Sequence, residues 1–131
     1  MAVPVDTPVR RLEFVRAAWD RLDTGAVTLD PGVGRAYAIS ILWRPTALTW
    51  YLSLWTTSGA PIVLGAPVRD RVDCLLGVST TGRPVGGIMS YDRKGRGDPG
   101  LDSWSTGDVG LYYVPAGLVP TSFAVYTSEV V

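Results

Sequence analysis

The residues with the greatest capacity for chemistry lie in one stretch, YDRKGRGDPGLDSW, residues 91 to 104. It carries three carboxylates, Asp92, Asp98 and Asp102, and the tripeptide Arg96-Gly97-Asp98. Three kinds of chemistry use such a set: two carboxylates roughly 5 to 10 Å apart hydrolyse glycosides, acidic loops bind calcium, and an exposed Arg-Gly-Asp serves adhesion. An EF-hand loop beginning at Asp92 needs oxygen ligands at its third and fifth positions. Lys94 and Arg96 stand there instead, which leaves only a non-standard ion site built from the three acids and backbone carbonyls. Asp among glycines is first a turn residue, because its side chain bonds nearby amides. The Arg-Gly-Asp triplet arises readily by chance in a chain rich in those residues. The favoured reading is a long turn between two strands, its path set by glycines and Pro99.

Elsewhere the means for catalysis are sparse. The chain has no histidine, so the commonest general base and the commonest zinc ligand are both missing, and Ser-His-Asp and Cys-His arrangements are excluded. A single cysteine, Cys74, rules out an intrachain disulfide, and within RVDCLLGV it reads as a small core residue. No phosphate loop ending in Gly-Lys-Ser/Thr occurs, and GVGRA at 32 to 36 neither follows a strand nor opens a helix. No enzymatic activity, cofactor or metal is expected. Aromatics are the other resource: Trp43, Trp50, Tyr51, Trp55, Trp104, Tyr112 and Tyr113. In a strand, Trp50 points to one face and Tyr51 and Trp55 to the other. At least one aromatic therefore lies on an outer face, against a subunit or the N-terminal segment, or as a glycan- or partner-binding platform.

The elements that must position these residues follow from composition and punctuation. With 131 residues, 47% of them hydrophobic, the chain is long enough for one domain with one core. Twelve basic and twelve acidic residues are interspersed, so attraction to nucleic acid or to a membrane surface has no electrostatic source. Eleven of the twelve basic residues are arginine, the side chain suited to multidentate contacts at protein interfaces. The N-terminus lacks an apolar signal region, and no apolar run approaches the roughly 20 residues of a membrane span. A soluble protein made in a cytoplasm is expected.

Between Pro8 and Asp23, Leu12, Val15, Trp19 and Leu22 recur at spacings of three and four, which predicts a short amphipathic helix. A competing strand reading pairs Leu12 with Phe14. From residue 26 onward, Gly and Pro turns separate β-like runs: AVTL, RAYAISILW, LTWYLSLW, PIVLGAPV, the less certain DCLLGV, PVGGIMSY, DVGLYYVP and TSFAVYTSEV. The second and third of these read as a hairpin. The pattern predicts a mainly β domain, a small antiparallel barrel or sandwich of about seven to eight strands behind a short N-terminal helix.

From about residue 35 to 115 the order of features resembles the baseplate plug proteins of contractile-tailed phages, first described in a cyanophage. The pieces are ILW before a turn, WYLSL in the next strand, SGAPIVLGAPV, YDRKGRGDPGLD and GDVGLYYVPA. Residues 1 to 24 and the strand-like 116 to 131 look like additions to that pattern. The resemblance implies a structural component of the virion baseplate, made in the host cytoplasm and placed at the distal end of the tail tube. It would contact tube, hub or spike proteins as a homo-oligomer within the assembly. The alternative is a carbohydrate- or protein-binding β module using exposed aromatics. Candidate interface residues are Trp19, Tyr51, Trp55, Arg93, Arg96, Asp98, Trp104, Phe123 and Tyr126. Residues 116 to 131 are expected to pair with another chain or to close this domain's own sheet.

Overall fold

The structure, a computed structural model, describes residues 10–29 and 35–115. Among the described residues eight strands form: β1 (Arg10–Arg11), β2 (Val15–Ala18), β3 (Arg21–Thr28), β4 (Ala36–Arg44), β5 (Thr49–Thr56), β6 (Pro61–Pro67), β7 (Gly87–Asp92) and β8 (Val109–Val114). They make two antiparallel sheets, β2-β3-β4-β5-β6 and β1-β8-β7, rather than a closed barrel. A parallel bridge between Asp70 and Ser90 runs beside the outer edge of β7. One hydrophobic core is shared by both sheets, with Ile39, Ile41, Leu52 and Leu54 from the larger and Ile88, Leu111 and Tyr113 from the smaller.

The β4–β5 hairpin is the centre of the larger sheet, and its register follows from period-two patterning. Tyr37, Ile39, Ile41 and Trp43 face inward and pair across the ladder with Thr56, Leu54, Leu52 and Trp50. Burying such side chains contributes roughly 1.5 to 3 kcal/mol each, and a one-residue slip would turn all of them to solvent. The hairpin was therefore well specified by sequence.

The N-terminal helix expected over residues 8 to 23 does not form; the described part of that segment is β1, β2 and the start of β3. Of the four residues at helical spacing, Leu12 and Leu22 are buried, while Val15 and Trp19 are 74% and 61% exposed. Long-range ladders override the local period: Arg10 and Arg11 pair with Tyr113 and Tyr112, and the Leu12 amide donates to the Leu111 carbonyl at 2.8 Å. The competing strand reading, which pairs Leu12 with Phe14, is met in part: both side chains pack on the core, but from the irregular segment between β1 and β2.

The run DCLLGV, expected as a strand, is instead a turn over the mouth of the core. Asp73 Oδ1 accepts the amide protons of Leu75 (2.9 Å) and Ile88 (3.0 Å), so a short acid competes successfully with ladder formation. Arg83 completes the clamp, donating to the carbonyls of Leu75, Val78 and Gly86 at 2.8 to 2.9 Å. Cys74, within this turn, points into the core, and burial pushes its thiol up to about 12, as expected for a packing residue.

Two backbone positions generate stability predictions. A Cβ on Gly86 would lie 2.1 Å from the Val114 carbonyl oxygen and 2.7 Å from the Tyr113 phenol, which accepts the Gly86 amide proton. Gly86→Ala is expected to cost about 3 kcal/mol in chemical denaturation, through displacement of β8. Leu48, in the β4–β5 turn, is 73% exposed and held at φ +51°. Leu48→Gly is expected to raise stability by about 1 kcal/mol, since the left-handed conformation penalises the bulky residue and no buried contact is lost.

Candidate functional site

The three acids of residues 91 to 104 go to three different places. Asp92, only 4% exposed at the end of β7, accepts from Arg96 Nε (2.7 Å), Arg96 Nη2 (3.2 Å) and the Lys94 amide (2.9 Å). Asp98 accepts the Asp70 amide proton at 2.7 Å and lies 3.5 Å from Arg69. Asp102 is exposed at the start of a 3-10 turn, Ser103–Thr106, and its carbonyl accepts from the Ser105 hydroxyl at 2.8 Å. Among the described residues no group of three metal-ligating side chains converges. Gly95 and Gly97, at φ +68° and +97°, turn the chain between these anchors.

A fourth acid, Asp108, completes the loop and was not singled out by sequence. Its carboxylate accepts from Arg93 Nε at 2.9 Å and lies 3.5 Å from Lys94 Nζ and 3.6 Å from Arg96 Nη2. Arg96 thus stands between Asp92 and Asp108. The hydrogen bond from Arg96 holds the Asp92 carboxyl below the usual carboxylate range, and the one from Arg93 does the same for Asp108. The Asp92 bond also raises the Arg96 guanidinium above its usual value. Carboxyls held in this way are anionic acceptors at neutral pH, the opposite of a general acid poised to give up a proton. Arg93, Arg96 and Asp98, candidates for contact with a neighbour, all have partners within this chain, though each remains about half exposed.

Aromatics occupy two separate environments. Trp50 is fully buried, packs against Trp43 at 5.5 Å and Trp104 at 6.1 Å between ring centroids, and donates its indole N–H to the Gly100 carbonyl at 2.9 Å. Trp104, a candidate for the interface, is therefore a half-buried wall of the core. Together with Phe14, Leu22 and Leu111 it lines a cleft of about 290 Å³. Tyr51 and Trp55 do lie on the outer face of the larger sheet, as strand alternation required. Arg44 lies 5.7 Å from the Tyr51 ring centroid, and Trp55 borders a shallow groove with Arg21, Asp23 and Ser40. Trp19 projects from the β2–β3 turn, while Arg16 Nη1 donates to its carbonyl at 2.7 Å. Phe123 and Tyr126, like the whole segment 116 to 131, lie outside the described residues.

The acidic cluster sets a pH dependence. In the unfolded chain Asp92 and Asp108 titrate near about 4. Their folded values are lower, so their contribution to stability is fully present above that pH and is lost as pH falls through the folded values. The thermal midpoint is expected to drop by several degrees between pH 5 and about pH 2.5. Asp92→Asn should lower the midpoint at pH 7 and flatten the fall on acidification; an unchanged slope would show that other groups control it.

Comparison with known proteins agrees with the serial pattern read from the chain. The family described as cyanophage baseplate Pam3 plug gp18 matches residues 24–116, from the middle of β3 through β8, and so leaves β1 and β2 outside the match. No curated protein matches the chain. With most of its length and all of β4 to β8 inside that match, the chain belongs to the cyanophage baseplate plug family.

Proposed function

We propose that this protein is a non-enzymatic plug at the distal end of a contractile tail tube, held there by contacts with tube, hub or spike proteins and with further copies of itself. Family membership indicates a structural protein of the phage tail baseplate. The observation that carries the assembly role is the β2 edge of the larger sheet, which pairs with no further strand among the described residues. All four residues of β2 are exposed, and Val15 and Trp19 present large apolar surfaces there. A solitary soluble protein normally blunts such an edge with charge or proline, and an exposed tryptophan is the residue type most enriched among binding hot spots. Both edge strands have a bulged register against their neighbours, but at the opposite edge β6 also has Pro61 and Pro67 at its ends. The two edges thus have different chemistry, which favours a directed contact at β2.

The loop from residue 93 to 108 serves this role as a rigid surface, since its charges are neutralised at home and a neighbour meets a preformed shape. Phe123 and Tyr126, with the rest of 116 to 131, are assigned by this reading to contact with a neighbour or to completion of this domain's own sheet. The test is co-expression with the tube, hub and spike proteins of the same phage, followed by light scattering of the purified material. Incorporation into a larger complex is expected, and Trp19→Ala should weaken it at least about tenfold while leaving the thermal midpoint unchanged, as befits a hot-spot truncation of about 1.4 kcal/mol or more. A monomer indifferent to all three partners would overturn the plug reading.

A further inference from the structure

We propose that the outer face of the larger sheet carries a binding site for a neutral pyranose ring, in the groove between Trp55 and the Arg21–Asp23 ion pair. This goes beyond the plug role and rests on side chains of β3 and β5, beside the β2 edge, where Val15 and Ala18 pair with Asp23 and Arg21. The groove has a volume of about 450 Å³, within the range of roughly 300 to 1,000 Å³ typical of small-molecule sites.

Its shape follows from the register of four strands. On this face the cross-strand rows read Arg21, Leu42, Tyr51, Pro67, then Asp23, Ser40, Ser53, then Ala26, Ala38, Trp55, Pro61. Small residues occupy the middle, so the floor is low and the Trp55 ring has only Ala38 and Pro61 opposite it. Both flanks of the groove are irregular: β3 shifts register between Asp23 and Ala26, and the β5–β6 pairing shifts between Leu54 and Trp55. The first bulge is stabilised rather than accidental, because Thr24 Oγ1 accepts the Ile39 amide proton at 3.2 Å. Bulges of this kind re-aim side chains beside binding sites.

The side chains then select the ligand. Arg21 Nε donates to Asp23 Oδ1 at 2.9 Å, so the pair has no net charge to recruit an anion or a cation. Among the described residues, Asp23 Oδ2 and the terminal nitrogens of Arg21 are engaged by no other hydrogen bond. They offer an acceptor and donors side by side, facing an indole across a largely apolar floor of Ala38 and Ser40. A flat apolar partner would gain nothing from desolvating that pair. A pyranose matches it: one apolar C–H face lies on the indole, and vicinal hydroxyls both donate to the carboxylate and accept from the guanidinium.

The full chain should be titrated with methyl pyranosides of glucose, galactose, mannose and N-acetylglucosamine, and with their neutral oligosaccharides, by saturation-transfer NMR and calorimetry. Inorganic phosphate serves as the anionic control. Saturable binding of at least one saccharide near about 1 mM is expected, lost at least about tenfold in both Trp55→Ala and Asp23→Asn at unchanged thermal midpoint. Stronger binding of oligosaccharide than of monosaccharide would identify a surface polysaccharide as the source; equal binding would identify a free sugar. If Trp55→Ala fails to fold, Asp23→Asn carries the comparison alone. The proposal is overturned if no saccharide saturates below about 50 mM, if binding survives both substitutions, or if phosphate competes. It is likewise overturned if Trp55→Ala abolishes co-assembly with a baseplate protein while no sugar binds, an outcome that would leave the plug reading intact.

Discussion

The buried indole of Trp50 is the constraint on which the rest of the arrangement depends. A tryptophan with no exposure to solvent must give its N–H a partner, and an unmet donor there costs about 1 to 3 kcal/mol. The partner is the carbonyl of Gly100, fifty residues further along the chain. That bond ties the central hairpin to the long loop between β7 and β8. It also sets the position of the 3-10 turn that follows, whose Trp104 packs edge-on against the same ring. Without the loop the Trp50 N–H would lose its partner; without Trp50 the loop would lose this anchor on the larger sheet.

Around that anchor the chain satisfies its charges locally. The arginines act largely as backbone and carboxylate clamps: Arg83 gathers three carbonyls of the turn that holds Cys74, and Arg11 reaches the Val109 carbonyl at 3.1 Å. Arg96 links Asp92 to Asp108. The planar guanidinium makes such multiple bonds from one side chain, which the point charge of lysine cannot reproduce. Arginine abundance, which by composition suggested contacts with other molecules, is therefore in good part an internal device. At β2 the exposed Arg16 likewise turns to backbone carbonyls, those of Ala18 and Trp19, and leaves the large apolar side chains of Val15 and Trp19 on the surface beside it.

The molecule thus has a stiff interior and three chemically distinct surfaces. The acidic and basic loop is neutralised and shaped; the β2 edge, unpaired among the described residues, exposes Val15 and Trp19 beside Arg16; the outer face of the larger sheet is hollowed and mixed in polarity. A baseplate component must fit its neighbours without rearranging, and a loop fastened at Asp92, Asp98, Gly100 and Asp108 meets that requirement at low entropic cost.

The sequence by itself determined the β class, the hairpin, and the separation of Trp50 from Tyr51 and Trp55 onto opposite faces. Each of these follows from period-two alternation between turn residues, a local signal that a single chain displays in full. It also carried the family, through the order of short segments from ILW to GDVGLYYVPA. Only the tertiary structure decided the fate of residues 10 to 23, where helical spacing lost to strand pairing: Arg10 and Arg11 join a ladder at Tyr113 and Tyr112, and Val15 to Ala18 fold back on Arg21 to Asp23. It decided that DCLLGV turns rather than extends, because the Ile88 amide competes for Asp73. It likewise separated Asp92, Asp98 and Asp102 and paired Arg93 with Asp108. These outcomes rest mainly on contacts between distant segments, whose energies exceed local preference and leave no mark in the spacing of neighbours.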